Sequence, residues 1–255
     1  MNLPDDMYDI KIIKYQHRGV KEILTSLLNT PTGIHQIVVY PNLELIRETY
    51  FHYIKKLLEK NNEMVIFIPY YESSHSVKKI LSSFPTERNE IDNDNKKGSN
   101  QKSNNIIDVK RYTHNGSLVI IESPQIFSNV EGETTATSTT RNGDLNKYNN
   151  NNNNSIVNKK NNDNFSSLVR MSLSHAKKLK KEGITILADY GFIYEKKGFE
   201  NLIELEKSIP PYFENIKIKQ ICLYHQKDFF NRFTKQQQKE ILDLHSRSIL
   251  MTDCF

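Results

Sequence analysis

The sequence predicts an α/β domain in which a mostly parallel sheet carries helices on both faces. Three observations support this. Short apolar runs, HQIVVY at 35–40, EMVIFIP at 63–69, SLVII at 117–121 and ITILA at 184–188, are continuous rather than alternating, as strands buried on both faces require. Segments between them repeat apolar residues at three- and four-residue steps, the period of a helix with one buried face. The two kinds alternate along the chain, which is the order of β-α-β units.

In chain order, residues 16–30 predict a short helix with Val20, Ile23, Leu24, Leu27 and Leu28 on one face, ended by Pro31 and Gly33. A strand over 35–40 follows. Asn42 is placed to cap a helix carrying Leu43, Ile46, Tyr50, Ile54, Leu57 and Leu58, with Glu44 in its first turn. A strand over 63–69 and a helix over 73–81 come next, then short strands over 106–109 and 117–121. A helix over 165–182, a strand over 184–188 and a helix over 199–209 follow. A strand over 216–224, helices over 228–233 and 235–245, and a short strand over 249–251 complete the order.

Residues 1–32 read as an N-terminal helical extension, and 33–251 as a single domain with two polar insertions, at about 86–105 and 129–164. The insertions are charged or Asn-rich, with the run 149–154 all asparagine. So few apolar side chains cannot offset an ordering cost of about 1–2 kcal/mol per residue, so disorder is expected there.

Composition excludes several classes. The apolar runs all fall short of the roughly 18 residues a membrane helix needs, and the N-terminus lacks the apolar core of a signal peptide. Two cysteines, Cys222 and Cys254, make no disulfide framework and no CxxC pair. A cytoplasmic protein is expected. The formal charge of +5 is spread without a clustered basic face, so direct nucleic-acid binding is not expected.

The first strand-to-helix turn carries the most chemical information. A phosphate-binding turn is glycine-rich, so that backbone N–H groups reach phosphate, and it carries a lysine. Here it reads Tyr40-Pro41-Asn42-Leu43-Glu44, without glycine or lysine. Pro41 removes a donor and Glu44 adds a like charge. GxxxxGK[ST] and GxGxxG are both absent. Nucleotide hydrolysis is therefore not expected, and no catalytic residue or cofactor is assigned.

Candidate ligand-binding residues lie at the strand ends. Glu122 and Asp189 each end a strand, where a carboxylate can hold a cation, orient water or simply cap the next helix. His35 stands at a strand start; Tyr40, Tyr190, Tyr224 and His225 stand at or just beyond strand ends. Tyr40, Tyr190 and Tyr224, with Tyr70, Tyr71, Phe127, Phe192 and Tyr194, would line one cleft if those ends converge. Glu206 is a further candidate, since Leu202, Leu205 and Ile209 place it near a buried helix face. Cys222 and His225 point to opposite faces of a continuing strand, against a Cys–His nucleophile. The eight histidines form no HxH or HxxxH pair, so any metal site would have to be assembled across the fold, and none is expected.

These residues resemble a known pattern. His35 with its strand, EMVIFIP, LVIIESPQIF, the segment ITILADYGFIYEKKGFENLIELEKSIP with Glu206, the stretch Cys222-Leu223-Tyr224-His225, and His245 are similar to the MEDS family, the sensory domain of methanogens, methylotrophs and the DcmR regulator. The chain departs from it in having Leu205-Glu206 for Tyr-Glu, Tyr224-His225 for Tyr-Asp, and His245-Ser246 for His-Pro. The resemblance implies a three-layer RecA- or KaiC-like fold that has lost its nucleotide motifs. It also implies a stand-alone sensory or regulatory role, through an unidentified small-molecule ligand, a signalling protein partner or self-association. The alternatives are a degenerate nucleotide-binding protein or ATPase, and a structural partner of an active homologue.

Overall fold

A computed structural model describes residues 10–15, 19–31, 33–83, 106–127, 160–208, 212–213 and 216–253. The elements are β1 (Ile10–Tyr15), α1 (Gly19–Leu28), β2 (His35–Tyr40), α2 (Leu43–Glu59), β3 (Met64–Ile68), α3 (Ser74–Ser83), α4 (Val109–His114) and β4 (Leu118–Ile120). There follow α5 (Ser123–Phe127), α6 (Lys160–Lys178), β5 (Ile184–Asp189), α7 (Gly191–Lys197), α8 (Phe199–Ser208), β6 (Tyr212–Phe213), β7 (Ile216–His225), α9 (Gln226–Asn231), α10 (Lys235–Asp243) and β8 (Arg247–Asp253).

The strands lie in the order β1-β8-β2-β7-β5-β3-β4, every neighbouring pair parallel. The two-residue β6 pairs antiparallel with the start of β7. Connections running toward the β4 edge carry α1 to α4 on one face. Those returning toward β1 carry α5 to α10 on the other. A single hand of crossover requires this segregation. The class expected from the sequence, a parallel sheet between two helical layers, is the one observed.

Side-chain parity along the strands divides two cores. Val38, Tyr40, Val65, Phe67, Leu187, Ile221 and Leu223 pack beneath α1 to α4. Ile37, Val39, Ile66, Ile68, Ile186, Ala188, Cys222 and Tyr224 pack beneath α5 to α10. Helix α2 starts as expected: the Asn42 side chain accepts from the Leu45 N–H at 2.9 Å. Its Tyr50, Phe51, Ile54 and Leu57 are essentially inaccessible, each contributing about 1.5–3 kcal/mol by burial.

The structure corrects several expectations. The N-terminal segment is no separate extension: β1 adds a parallel edge strand on β8, and Ile23 and Leu27 of α1 are buried in the domain core. Residues 106–109 do not form a strand. Asp108 instead accepts from the Arg111 N–H and starts α4, with Ile107 and Val109 buried beneath it. Helix α6 begins at Lys160, inside the second expected insertion. Once Phe165, Val169 and Leu173 anchor that helix, one more turn at its N-terminus costs little. The disorder expected at 86–105 and 129–159 concerns residues outside those described. Among the described residues, no helix is long and apolar enough to cross a membrane.

Candidate functional site

Two groups of polar side chains are built into the sheet, one at the carboxyl ends of the strands and one buried beneath α8 and α10. The first lies where open α/β sheets offer a crevice, because the connections leaving β2 and β7 depart to opposite faces. Tyr40 ends β2 and donates its hydroxyl to Asp189 Oδ2 at 2.7 Å. Asp189 ends β5, and its Oδ1 accepts from the Gly191 N–H at 3.0 Å. Burial pushes the Asp189 carboxyl up to about 7, outweighing the bonds from Gly191 and Tyr40 that stabilise its charged form. The Tyr40 hydroxyl is pushed well up as well, first by burial and then by Asp189.

Tyr70 and Tyr71, just beyond β3, close over this end in a narrow cleft that Tyr50 and Glu72 also line. Tyr71 donates to Asp228. His225 caps α9 by accepting from the Lys227 N–H, and its ring meets those of Tyr40 and Tyr71. Burial, then Lys227, pulls its imidazole down. Arg47, on α2, is held by Glu72 at 2.7 Å. Carboxylates and phenols thus dominate this end.

The second group draws on four separate elements. His35 opens β2, Cys222 lies midway along β7, Glu206 is in the last turn of α8, and His245 follows α10. One ligand-type atom from each lies within 4.8 Å of all the others. His35 Nε2 is 2.8 Å from Glu206 Oε2 and 2.9 Å from Cys222 Sγ. The Cys222 thiol donates to Glu206 Oε2 at 3.3 Å, and His245 Nε2 lies 3.6 Å from the same oxygen. The two imidazole rings are 4.1 Å apart between centroids.

A ring of polar groups holds these side chains in place. The Tyr224 hydroxyl donates to Glu206 Oε1 at 2.6 Å. His245 Nδ1 donates to the Ile241 carbonyl at 2.7 Å, which leaves Nε2 as the bare nitrogen. That Nε2 is buried and has no hydrogen-bond partner. Gln220 donates to Cys222 Sγ and to the Tyr190 hydroxyl, at 3.4 and 3.0 Å. Local sequence explains the convergence: strand parity puts Gln220, Cys222 and Tyr224 on one face, and Leu202 and Leu205 turn Glu206 toward it.

Burial pushes the Glu206 carboxyl up; His245, His35 and the bonds from His35 and Tyr224 more than reverse this and hold it at about 2. His245 is itself pulled down by burial to about 4 and is neutral at pH 7. The ionised state of Glu206 therefore leans on its hydrogen bonds from His35 and Tyr224. The Cys222 thiol is pushed well up, first by burial and then by Glu206. A fully buried thiol beside a carboxylate is a poor nucleophile.

The sequence candidates thus divide. His35, Tyr190, Glu206 and Tyr224 meet at the buried cluster, and Tyr40, Asp189 and His225 at the carboxyl ends. Glu122 joins neither: its Oε1 accepts from the Ser74 N–H at the start of α3. The single aromatic cleft is not formed. Tyr40, Tyr70 and Tyr71 share one, whereas Tyr190 and Tyr224 turn into the opposite core with Phe127 and Phe192. Cys222 and His225 do point apart, as their spacing predicts. No metal-ligating set was expected from the histidine spacing; the fold brings four ligand-type atoms together, from residues 35, 206, 222 and 245. Gln220 had no motif to mark it; its only signal was a polar residue inside the run IKIKQICLY. No protein-family model matches the chain, and neither does any curated protein.

Proposed function

We propose that this chain is a sensory or regulatory domain of the MEDS kind, which binds its ligand at the His35–Glu206–Cys222–His245 cluster and does not hydrolyse nucleotide. One observation supports this above the rest. The residues on which the family resemblance rests, His35, Glu206, Cys222, Tyr224 and His245, are scattered over the chain yet meet at one point. A buried polar cluster of this kind is a weak source of stability, because desolvating its charged members offsets most of their attraction. Its presence in an otherwise apolar layer is better explained by binding. The acidic, donor-poor turn after β2 argues in the same direction against phosphate.

The test is a thermal-shift screen of small metabolites and nucleotides on the intact chain and on Glu206→Gln. A metabolite that raises the melting temperature of the intact chain but not of Glu206→Gln supports the reading, provided both melt cooperatively on their own. Micromolar binding of labelled ATP with magnesium overturns it. So does a response that Glu206→Gln leaves unchanged.

A further inference from the structure

We infer that the cluster is a metal centre, with one zinc-class divalent ion held by His35 Nε2, Glu206 Oε2, Cys222 Sγ and His245 Nε2. This rests on the reading of the cluster as the binding site and names the chemistry of what it binds.

Geometry comes first. Tetrahedral zinc with bonds of about 2.0–2.3 Å sets its ligand atoms about 3.3–3.8 Å apart. The four atoms here already lie within 4.8 Å of one another, with measured separations of 2.8, 2.9, 3.3 and 3.6 Å. A few tenths of an ångström of movement per side chain admits an ion. Such movement is small for side chains carried by separate elements.

The donors select the class of ion. Two imidazoles and a thiolate suit zinc and its neighbours and are foreign to magnesium and calcium, which take oxygen. With Cys222 as thiolate and Glu206 ionised, two negative charges face a doubly charged cation, and the centre is neutral. The thiolate is the ligand form, so binding releases the Cys222 proton to solvent.

The surroundings are those of a ligated set. His245 donates Nδ1–H to the Ile241 carbonyl, as a metal-bound histidine donates its second nitrogen. Tyr224 holds the other Glu206 oxygen, and Gln220 donates to the Cys222 sulfur. His245 Nε2 provides independent evidence: a lone pair in a residue 2 % exposed, near the other three ligands, with no hydrogen-bond donor of its own. Such orphaned buried groups are rare and call for a partner. The ion has a way in, because the His35 side chain is 18 % exposed while the side chains of Glu206 and His245 are fully covered.

Cobalt(II) is the probe, titrated into the metal-free 255-residue chain carrying Cys254→Ser so that Cys222 is its only thiol. The expected result is one cobalt per chain, with a thiolate-to-cobalt charge-transfer band and the strong visible bands of tetrahedral cobalt, displaced by zinc. Adding Cys222→Ser removes the charge-transfer band, and His245→Gln weakens binding at least about tenfold. Circular dichroism checks that each variant folds. If Cys222→Ser does not, His35→Gln, at the partly exposed ligand, provides the affinity test. No cobalt uptake, or a charge-transfer band that survives in Cys222→Ser, overturns the metal centre. A chain that takes up no metal but responds to a metabolite through Glu206 loses the metal centre and keeps the sensory reading. A chain that binds cobalt as described but shows no change in hydrogen exchange or self-association keeps the ion and loses the sensory reading.

Discussion

Replacing Asp189 by asparagine tests the electrostatics of the carboxyl-end group directly. Asp189 is 4 % exposed, and burial raises its carboxyl from an ordinary value of 3.8 to about 7. Between those values the native chain keeps a proton that the unfolded chain has released, so stability falls as pH rises through this window. Below the window both states are protonated, and above it both are ionised. At about 1.4 kcal/mol per tenfold, the gap corresponds to a penalty of about 4 kcal/mol, fully present above pH 7. An asparagine can keep the geometry, with its oxygen accepting from the Gly191 N–H and its amide donating to the Tyr40 oxygen. Asp189→Asn should therefore be more stable than the parent at about pH 8, by several kcal/mol, and the difference should shrink steadily toward about pH 4. Urea unfolding of both chains across that range measures it. Other groups titrate there too, but they cancel in the comparison. A stability difference that does not vary with pH, or a variant less stable than the parent at about pH 8, refutes the reasoning.

Two further predictions concern packing. Lys219 and Glu63 form a buried pair at 2.7 Å on the α1 to α4 side of the sheet, with Thr185 donating to the second Glu63 oxygen. Lys219→Met should cost about 3–5 kcal/mol, because it strands a buried carboxylate, and adding Glu63→Leu should recover much of that loss; urea unfolding of the single and double variants checks both. At the start of α7, a Cβ on Gly191 would lie 2.6 Å from Tyr70 Cδ1 and 3.2 Å from Asp189 Oδ1. Gly191→Ala should therefore displace the Tyr70 ring, lower stability by about 1–3 kcal/mol and shift the Asp189 titration. Thermal melting and carboxyl NMR read the two effects, and an unaltered Asp189 titration would show that the contact does not reach the site.

The sequence by itself determined the local chemistry. Continuous apolar runs identify strands buried on both faces, and those at 35–40, 63–69, 117–121 and 184–188 contain β2, β3, β4 and most of β5. Asn42 and Glu44 start α2, and Pro41 and Glu44 set the turn after β2 apart from a glycine-rich, lysine-bearing phosphate loop. Parity within a strand is also legible: Cys222 and Tyr224 share a face, and His225 leaves it. Parity stops at the strand end, which is why the sequence grouped Tyr40 and Tyr190 and the structure separates them. Tyr40, still in register, faces Asp189 beneath the α2 layer, whereas Tyr190, one residue past β5, turns into the other core. The place of β1 and the strand order depended on pairings between distant segments, for which a single sequence carries no local signal. The same holds for the cluster. His35 and Cys222 are 187 residues apart, and no spacing rule connects them with Glu206 and His245. Only a fold that lays β2 beside β7 and brings α8 and the end of α10 over them puts those four side chains in contact.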